Sequence, residues 1–279
     1  MSKRPEHELP PELYYNDKEA LKYSNNTHIQ NVQEAISKRA IELLALGEDE
    51  KCVILDIGCG SGLSGDVLTE AGHDWIGVDI SSAMLDIALD REVSGDLILQ
   101  DIGDGLPFRG ASFDNAISIS AIQWLCHSNT SSQNPVNRLR RFFSSLFACL
   151  TKNGRAVLQF YPDSPEQGRL IQMEAMRAGF SGGVLIDFPN STRAKKYFLV
   201  LNVSPKRQMP DALDETANES EIIKGKNEVA STSSRETRKR KISKDSAAWI
   251  KSKKERAKRQ NKEVPTDSKY TGRKRKPRF

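Results

Sequence analysis

The sequence predicts a doubly wound α/β fold with seven strands, on three observations: short apolar runs alternate with helical stretches, a glycine-rich turn directly follows the first run, and an aspartate stands at the exit of each of the first three. The run Cys52-Val53-Ile54-Leu55 is unbroken in its apolarity, which suits a strand buried on both faces of a parallel sheet. It passes through Asp56-Ile57 into Gly58, Gly60 and Gly62, and a helical segment from Leu63 to Ala71 follows. Doubly wound folds hold ligands at such a turn, at the carboxyl ends of their strands.

Around this centre the elements read in order. Pro11 to Ser24 reads as a short helix carrying Tyr14, Tyr15, Leu21 and Tyr23. A second helix runs from Thr27, a capping residue, to Leu46, with Ile29, Val32, Ile36, Ala40, Leu43 and Leu44 at helical spacing and Gly47 as its stop. These two helices are expected to pack across the sheet edge and part of the ligand mouth. Asp74–Asp79 is the second strand, and Ser81 caps a helix through Leu89. Leu97–Asp101 is the third strand and Phe113–Ser120 the fourth. Asn134-Pro135 opens a helix to Leu150, with proline in its first turn. Lys152-Asn-Gly-Arg155 reads as a turn before a fifth strand, Ala156–Phe160. Ser164-Pro165 starts another helix that ends near Gly179. Val184–Phe188 and Tyr197–Val203 complete the set as an antiparallel hairpin.

Composition bounds the setting. At 279 residues the chain fits one large domain, or a domain with a tail. No apolar run approaches the roughly 18 residues of a bilayer span, and the start, Met1 to His7, lacks the apolar core of a signal peptide. Neither membrane association nor secretion is expected. The four cysteines, Cys52, Cys59, Cys126 and Cys149, include no C-x-x-C pair, which favours a reducing compartment and no structural metal site. The net charge of +5 is unevenly spread: Lys206 onward carries 23 Lys+Arg and 11 Asp+Glu, leaving 19 basic and 26 acidic residues in the first 205. A mildly acidic body with a strongly basic tail points to a polyanionic partner met mainly by the tail.

Two cofactor classes compete for the glycine loop. Gly60-Ser-Gly62-Leu-Ser-Gly65 satisfies the dinucleotide fingerprint G-x-G-x-x-G. Asp56 argues otherwise, because a carboxylate beside a pyrophosphate would be repelled. A carboxylate there suits a cationic ligand, and the amino-acid end of S-adenosylmethionine carries an ammonium and a sulfonium. Asp79 stands where its carboxylate can grip both ribose hydroxyls of a nucleoside, with Ile80 beside it. Asp101 can accept from an adenine amine while Ile102 offers its backbone N–H. Ser118 to Trp124 should line the methionine end and the acceptor pocket, with Ser118 and Ser120 toward the cofactor. Tyr14 and Tyr15 reach over the ligand or pack in the core. Cys59 reads as an inert loop thiol, since no histidine neighbours it in sequence.

Asp56-Ile-Gly-Cys-Gly-Ser-Gly62, Val78-Asp79, Asp101-Ile102, Leu106-Pro-Phe108 and Phe113-Asp114 stand in the order and spacing of Rossmann-like class I methyltransferases. The Arg4-Pro-Glu-His-Glu start, the Pro10-Pro-Glu-Leu-Tyr-Tyr15 segment and the Tyr270-Thr-Gly-Arg-Lys-Arg-Lys276 end resemble the 18S rRNA (guanine-N7)-methyltransferase family of ribosome assembly. The resemblance covers nearly the whole chain. It implies S-adenosylmethionine as cofactor, small-subunit rRNA in a pre-ribosomal particle as substrate, and a nuclear and nucleolar setting with some cytoplasmic protein. It also implies a small zinc-binding methyltransferase activator protein, pairing in a heterodimer with an exposed edge strand at Leu97, Ile98 and Leu99.

Guanine N7 carries an unprotonated lone pair at neutral pH, so its methylation needs positioning and no general base. Gln123 could then hydrogen-bond the base edge, and Trp124 could stack on a flipped guanine or simply pack in the core. The expected domains are 1–50, helices over the cofactor site; 51–204, the methyltransferase core; 205–234, a polar linker; and 235–279, a basic tail with 19 basic and 5 acidic residues, disordered until it settles on RNA. Within the tail a helix around Asp245–Gln260 is expected, anchored by Trp249. Two other functions fit the same residues: an assembly factor for pre-ribosomal particles whose binding outweighs catalysis, and a small-molecule methyltransferase.

Overall fold

The structure, a computed structural model, describes residues 4–47, 50–128, 134–191, 194–205, 207–213 and 254. The chain divides into two compact units, Met1–Ile223 and Lys224–Phe279, and only Lys254 of the second is described. Most of the expected linker and nearly all of the basic tail, with Trp249 and the Asp245–Gln260 helix, lie outside the described residues. Among the described residues no helix is long and apolar enough to cross a membrane.

Seven strands form one sheet: β1 (Val53–Ile57), β2 (Asp74–Asp79), β3 (Asp96–Leu99), β4 (Phe113–Ile119), β5 (Leu150–Phe160), β6 (Ser181–Asp187) and β7 (Lys196–Asn202). Their order is β3-β2-β1-β4-β5-β7-β6, with β7 antiparallel to both β5 and β6 and every other pair parallel. Because successive side chains point to opposite faces, each central strand feeds two cores. Leu55, Ala116 and Leu158 turn to α6 (Pro135–Cys149) and α7 (Pro165–Arg177), against Phe142, Phe143 and Ile171. Ile54, Ile117 and Val157 turn to α3 (Thr27–Leu44) and α4 (Leu63–Glu70), against Ala40, Leu43 and Leu68. The expected seven-stranded α/β class with helices on both faces is the observed one.

Local departures have identifiable causes. The first helix breaks into α1 (Pro11–Tyr14) and α2 (Asp17–Ser24), because the Asn16 side chain accepts from Lys18 and Glu19 N–H and so caps a new start. Helix α3 stops at Ala45, which takes a left-handed φ of 50°, and not at Gly47. Lys152 to Arg155 belongs to β5. Phe113 pairs with Leu150 and Asn115 with Arg155, so residues 151–154 bulge opposite Asp114 without ending the strand. Asp56 lies inside β1, only Asp79 closes its strand, and Asp101 lies two residues past β3 as the cap of a 3-10 turn. α5 (Ser82–Asp90) starts under the expected Ser81 cap. β3 is one edge of the sheet, and its Leu99 is 58% exposed.

One buried cation fastens the back of the sheet. Arg155 is 1% exposed and has no carboxylate partner among the described residues. Its guanidinium donates instead to Asn202 Oδ1 (2.7 Å), Leu43 O (2.9 Å) and Gln208 O (2.6 Å). These bonds join β5, β7, the end of α3 and the 207–213 segment, whose Arg207 also donates to Ala45 O. Composition places 207–213 in the linker, yet it is tied to the body. A cation suits the carbonyl end of a helix, but burial, with Arg207 nearby, lowers the Arg155 pKa to about 10. Replacing Arg155 with Leu strands several buried acceptors at about 1–3 kcal/mol each. Urea denaturation should show the fold losing about 3 kcal/mol or more; a loss under about 1 kcal/mol would refute this role.

Candidate active site

The glycine loop sits where β1 meets β4. Gly58 has a φ of +73°, and a Cβ there would lie 2.3 Å from Ala121 Cβ. No side chain fits that approach. Gly58 and Cys59 N–H both donate to Val78 O, at 2.8 and 3.1 Å, which folds the loop over the end of β2. Gly65, last in the formal G-x-G-x-x-G, serves packing: a Cβ there would lie 2.1 Å from the Trp75 ring. The fingerprint match thus includes a glycine shaped by the sheet and not by a ligand.

Two carboxylates flank this loop, Asp56 fully buried and Asp79 half-buried. Asp79 Oδ2 accepts from Gly60 N–H and Oδ1 from Ser81 N–H, each at 2.8 Å. Asp56 is fully buried: Oδ2 accepts from Ser64 Oγ at 2.6 Å, and Oδ1 has no partner. Burial pushes the Asp56 pKa up to about 7, Ser64 pulls it down, and the Asp79 charge adds to the rise. Burial also raises Asp79, against the backbone N–H groups that favour its charged form. Asp56 thus keeps an acceptor unpaired among the described residues, close enough to Asp79 to feel its charge. Cys59 is the opposite case: burial, then the charges of Asp56 and Asp79, raise its thiol well above the ordinary value, so it stays protonated and inert.

A cavity runs along these elements. Of the expected site residues, Gly58, Cys59, Gly60, Asp79, Ile80, Asp101, Ile102, Ser120 and Trp124 line it. Asp56, 0% exposed, does not, and meets it only through Ser64, whose hydroxyl it accepts from. Tyr14, Gly62 and Ser118 do not line it. Tyr15, with its backbone carbonyl held by Ser81 Oγ at 2.8 Å, takes the place expected of Tyr14, whose ring packs against Tyr15 and Trp124. Ser118 is fully buried and donates to Ile57 O at 2.8 Å, pinning β4 to β1. Gly62 is the left-handed residue that begins α4.

Asp101 is less free than the sequence suggests. Arg138, 7% exposed on α6, donates to Oδ1 and Oδ2 at 2.8 and 2.9 Å, and Gly103 N–H donates to Oδ1. Sequence reasoning missed Arg138, although an arginine in an otherwise apolar helix stripe was the available signal.

Past Ser120 and Trp124 lies a second cavity, lined also by Arg4, Glu6, Gln123 and Tyr161. The two cavities share Tyr15, Tyr23, Gln33, Ser120 and Trp124 as a common wall. Ser120 holds a left-handed φ of 58°, and its Oγ donates to Gln159 Oε1 at 2.7 Å. A strained residue at a shared wall marks a place where geometry is held for use. The N-terminal segment closes this side: Arg4 donates to Asp163 Oδ1 at 2.7 Å, and His7 and His127 Nε2 lie 2.9 and 3.3 Å from Oδ2. Burial alone would raise Asp163, but His7, Arg4 and His127 together hold it below the usual carboxylate range. His7, His127 and Asp163 have ligand atoms within 4.8 Å of one another; Arg4 on the same carboxylate opposes a metal ion there.

A sheet in this order with β7 reversed, a glycine loop after β1 and acids after the first strands define an S-adenosylmethionine-dependent methyltransferase. A family profile described as "Methyltransferase domain" matches residues 55–158, and one described as "Methyltransferase involved in Williams-Beuren syndrome" matches residues 202–277. The chain is 52% identical to the 18S rRNA (guanine-N(7))-methyltransferase of Mus musculus, covering 100% of this chain and 99% of the relative. It is 49% identical to the 18S rRNA (guanine(1575)-N(7))-methyltransferase of Saccharomyces cerevisiae, covering 99% of each. The chain belongs to the 18S rRNA (guanine-N7)-methyltransferase family, and its cofactor is S-adenosylmethionine. Its fold also matches a Haloferax volcanii methyltransferase solved in complex with the Trm112 activator, with a TM-score of 0.50 at 17% identity over 67% of this chain and 97% of that one.

The Gly58–Ala121 approach yields a direct test. Gly58→Ala should weaken S-adenosylhomocysteine binding about 100-fold by titration calorimetry, from steric overlap and positive-φ strain together. Circular dichroism should show the fold retained. Unchanged affinity would mean that the loop does not set the cofactor site.

Proposed function

We propose that this chain transfers the methyl group of S-adenosylmethionine to N7 of a guanine in small-subunit rRNA during ribosome assembly. Full-length similarity to the family supports the substrate. The observation that carries the geometry is the common wall, where a cofactor cavity and an acceptor cavity meet at Ser120 and Trp124. When bound, S-adenosylmethionine supplies an electrophilic methyl on a sulfonium. Asp56 and the Gly58–Gly60 backbone hold its amino-acid end, Asp79 and Ile80 its ribose, and Asp101 and Ile102 its adenine. Three of the roughly four acceptor sites of Asp101 are taken by Arg138 and Gly103, which leaves one on Oδ2 for that bond. Tyr14, Gly62 and Ser118 act from behind the wall, holding Trp124, α4 and the β1–β4 seam. Trp124 and Gln123 orient a base whose N7 needs no proton removed, so the chain contributes alignment and exclusion of water.

The division of the chain follows this reading. Residues 1–50 cover the site, 51–204 with the bound 207–213 segment form the core, the rest of 205–234 links, and 235–279 meet RNA phosphates and carry the basic runs of nuclear import. The protein works in the nucleus and nucleolus, with some in the cytoplasm. Its partner is a small zinc-binding methyltransferase activator protein that covers β3; the Haloferax volcanii fold relative is described in complex with the Trm112 methyltransferase activator. Leu99→Lys should then reduce co-purification with the activator at least about tenfold. Retention of the complex would remove β3 as the interface.

The decisive experiment incubates protein, activator and labelled S-adenosylmethionine with small-subunit particles and maps the product. One N7-methylguanine is expected. If Asp79→Ala abolishes transfer yet sustains ribosome production in cells, binding outweighs catalysis. Loss of residues 205–279 without loss of particle binding would favour a small-molecule substrate.

The raised Asp56 pKa fixes a pH dependence. The free fold holds a proton that the unfolded chain releases near pH 3.8, so stability falls as pH rises from there to about 7 and then levels. A ligand ammonium favours the carboxylate, so cofactor affinity should rise between about pH 6 and about pH 8. Asp56→Asn should lower that affinity and flatten the slope in calorimetry. An unchanged slope in the variant would acquit Asp56.

A further inference from the structure

The acceptor cavity is lined by two buried residues, Glu6 and Gln123, whose acceptor oxygens receive no hydrogen bond among the described residues. Gln123 is 4% exposed, and its Nε2 donates to Ser120 O at 2.8 Å, which fixes the orientation of the amide. Its Oε1 is buried with no partner. Glu6, 7% exposed in the 3-10 turn Pro5–His7, lines the same cavity. The nearest cation to its carboxylate among the described residues is Arg4 Nη1 at 3.8 Å, beyond hydrogen-bonding reach, and Arg4 is already engaged by Asp163 and Tyr161 O. Aromatic rings of Tyr15, Tyr23, Trp124 and Tyr161 make up much of the remaining wall. Buried acceptors are costly unless a donor reaches them. This cavity asks for a flat ligand with adjacent N–H groups.

Among the nucleobases, guanine alone presents adjacent ring and amino donors on one edge, N1–H and the 2-amino group. Adenine and cytosine show a bare ring nitrogen there, and uracil flanks its single N–H with carbonyls. We propose that Glu6, seconded by Gln123, reads the Watson–Crick edge of the acceptor guanine. This inference rests on the guanine-N7 reading above. N7 lies on the opposite edge of the base, so anchoring N1–H and the 2-amino group at Glu6 turns N7 toward the Ser120–Trp124 wall. Glu6 thereby sets both which base is accepted and which atom is methylated. It is a specificity residue contributed by the N-terminal segment, outside the sheet that binds the cofactor.

The test uses the full chain with its activator and small-subunit RNA carrying guanine or inosine at the methylated position. Inosine keeps N7 and N1–H and lacks the 2-amino group. Wild-type protein should prefer guanine by about tenfold or more in kcat/KM. Glu6→Gln, nearly isosteric, should lower kcat/KM on guanine about 100-fold and shrink the guanine-to-inosine ratio toward one. S-adenosylhomocysteine affinity should stay within about twofold, since Glu6 does not line the cofactor cavity. An active wild type whose guanine-to-inosine ratio survives Glu6→Gln unchanged overturns the Glu6 assignment alone. Loss of S-adenosylhomocysteine binding in the variant overturns it too, by making Glu6 a structural support. A wild type that forms no N7-methylguanine overturns the guanine-N7 reading itself.

Discussion

The Asp79 carboxylate, accepting from Gly60 and Ser81 N–H, is the bond on which the site depends. It ties the loop after β1 to the loop after β2, and through the Ser81 hydroxyl it holds the Tyr15 carbonyl. One side chain thus fixes the glycine turn, the start of α5 and the aromatic cover of the cavity. The cost is a partly desolvated charge, and it lies close enough to Asp56 to oppose the ionisation of that second carboxylate. A cationic ligand relieves what the free fold must tolerate. Cofactor binding and stability are therefore coupled through the same two acids, and a ligand that binds only the folded chain shifts its stability by mass action.

The acceptor side is organised differently. Its wall comes from the 3-10 turn at Pro5–His7, the exit of β4 and the residues after β5, elements far apart in sequence. What joins them is Asp163, which gathers Arg4, His7 and His127 at the rim. Exposed ion pairs contribute little individually. Here several bases converge on one partly buried acid, and what they secure is the placement of the segment that carries Glu6.

The cofactor half was legible because its chemistry is local. Glycines at alternate positions and acids near the strand ends announce a ligand-binding loop, and Asp79 closes β2 as that pattern implies, while Asp56 lies inside β1 and Asp101 two residues beyond β3. Most of the misreadings share one cause, long-range contacts that overrode local propensity; the split of the first helix is the local exception, set by the Asn16 cap. Lys152-Asn-Gly-Arg155 is turn-like in isolation, yet its arginine is drawn into the interior by Asn202 and the carbonyls ending α3. Gly47 is the better left-handed residue, but carbonyls satisfied by Arg155 and Arg207 let α3 end on Ala45. Tyr14 and Tyr15 differ only by the Asn16 cap and the Ser81 bond, which decide the ring that faces the cavity. Arg138 carries no motif of its own, and the Arg4-Pro-Glu-His-Glu segment marks Glu6 by resemblance without assigning it a role; only the fold gives both their neighbours.

The charge division of the chain answers a conflict inside the site. Holding a cationic cofactor calls for Asp56 and Asp79, and reading a donor edge calls for acceptors such as Glu6. These same carboxylates repel the phosphates of an RNA substrate. A body with 19 basic and 26 acidic residues cannot supply the attraction itself. The 23 basic residues from Lys206 onward can, since phosphate neutralisation acts through counterion release and carries no sequence information. Affinity and selectivity are thereby placed on different parts of the chain. On the proposed reading, the tail gathers RNA without regard to base, and the cavity admits the one base whose edge matches its acceptors. Discrimination that rests on buried acceptors is strong because a wrong base leaves them unpaired, and it is undisturbed by the electrostatic force that brings the RNA close.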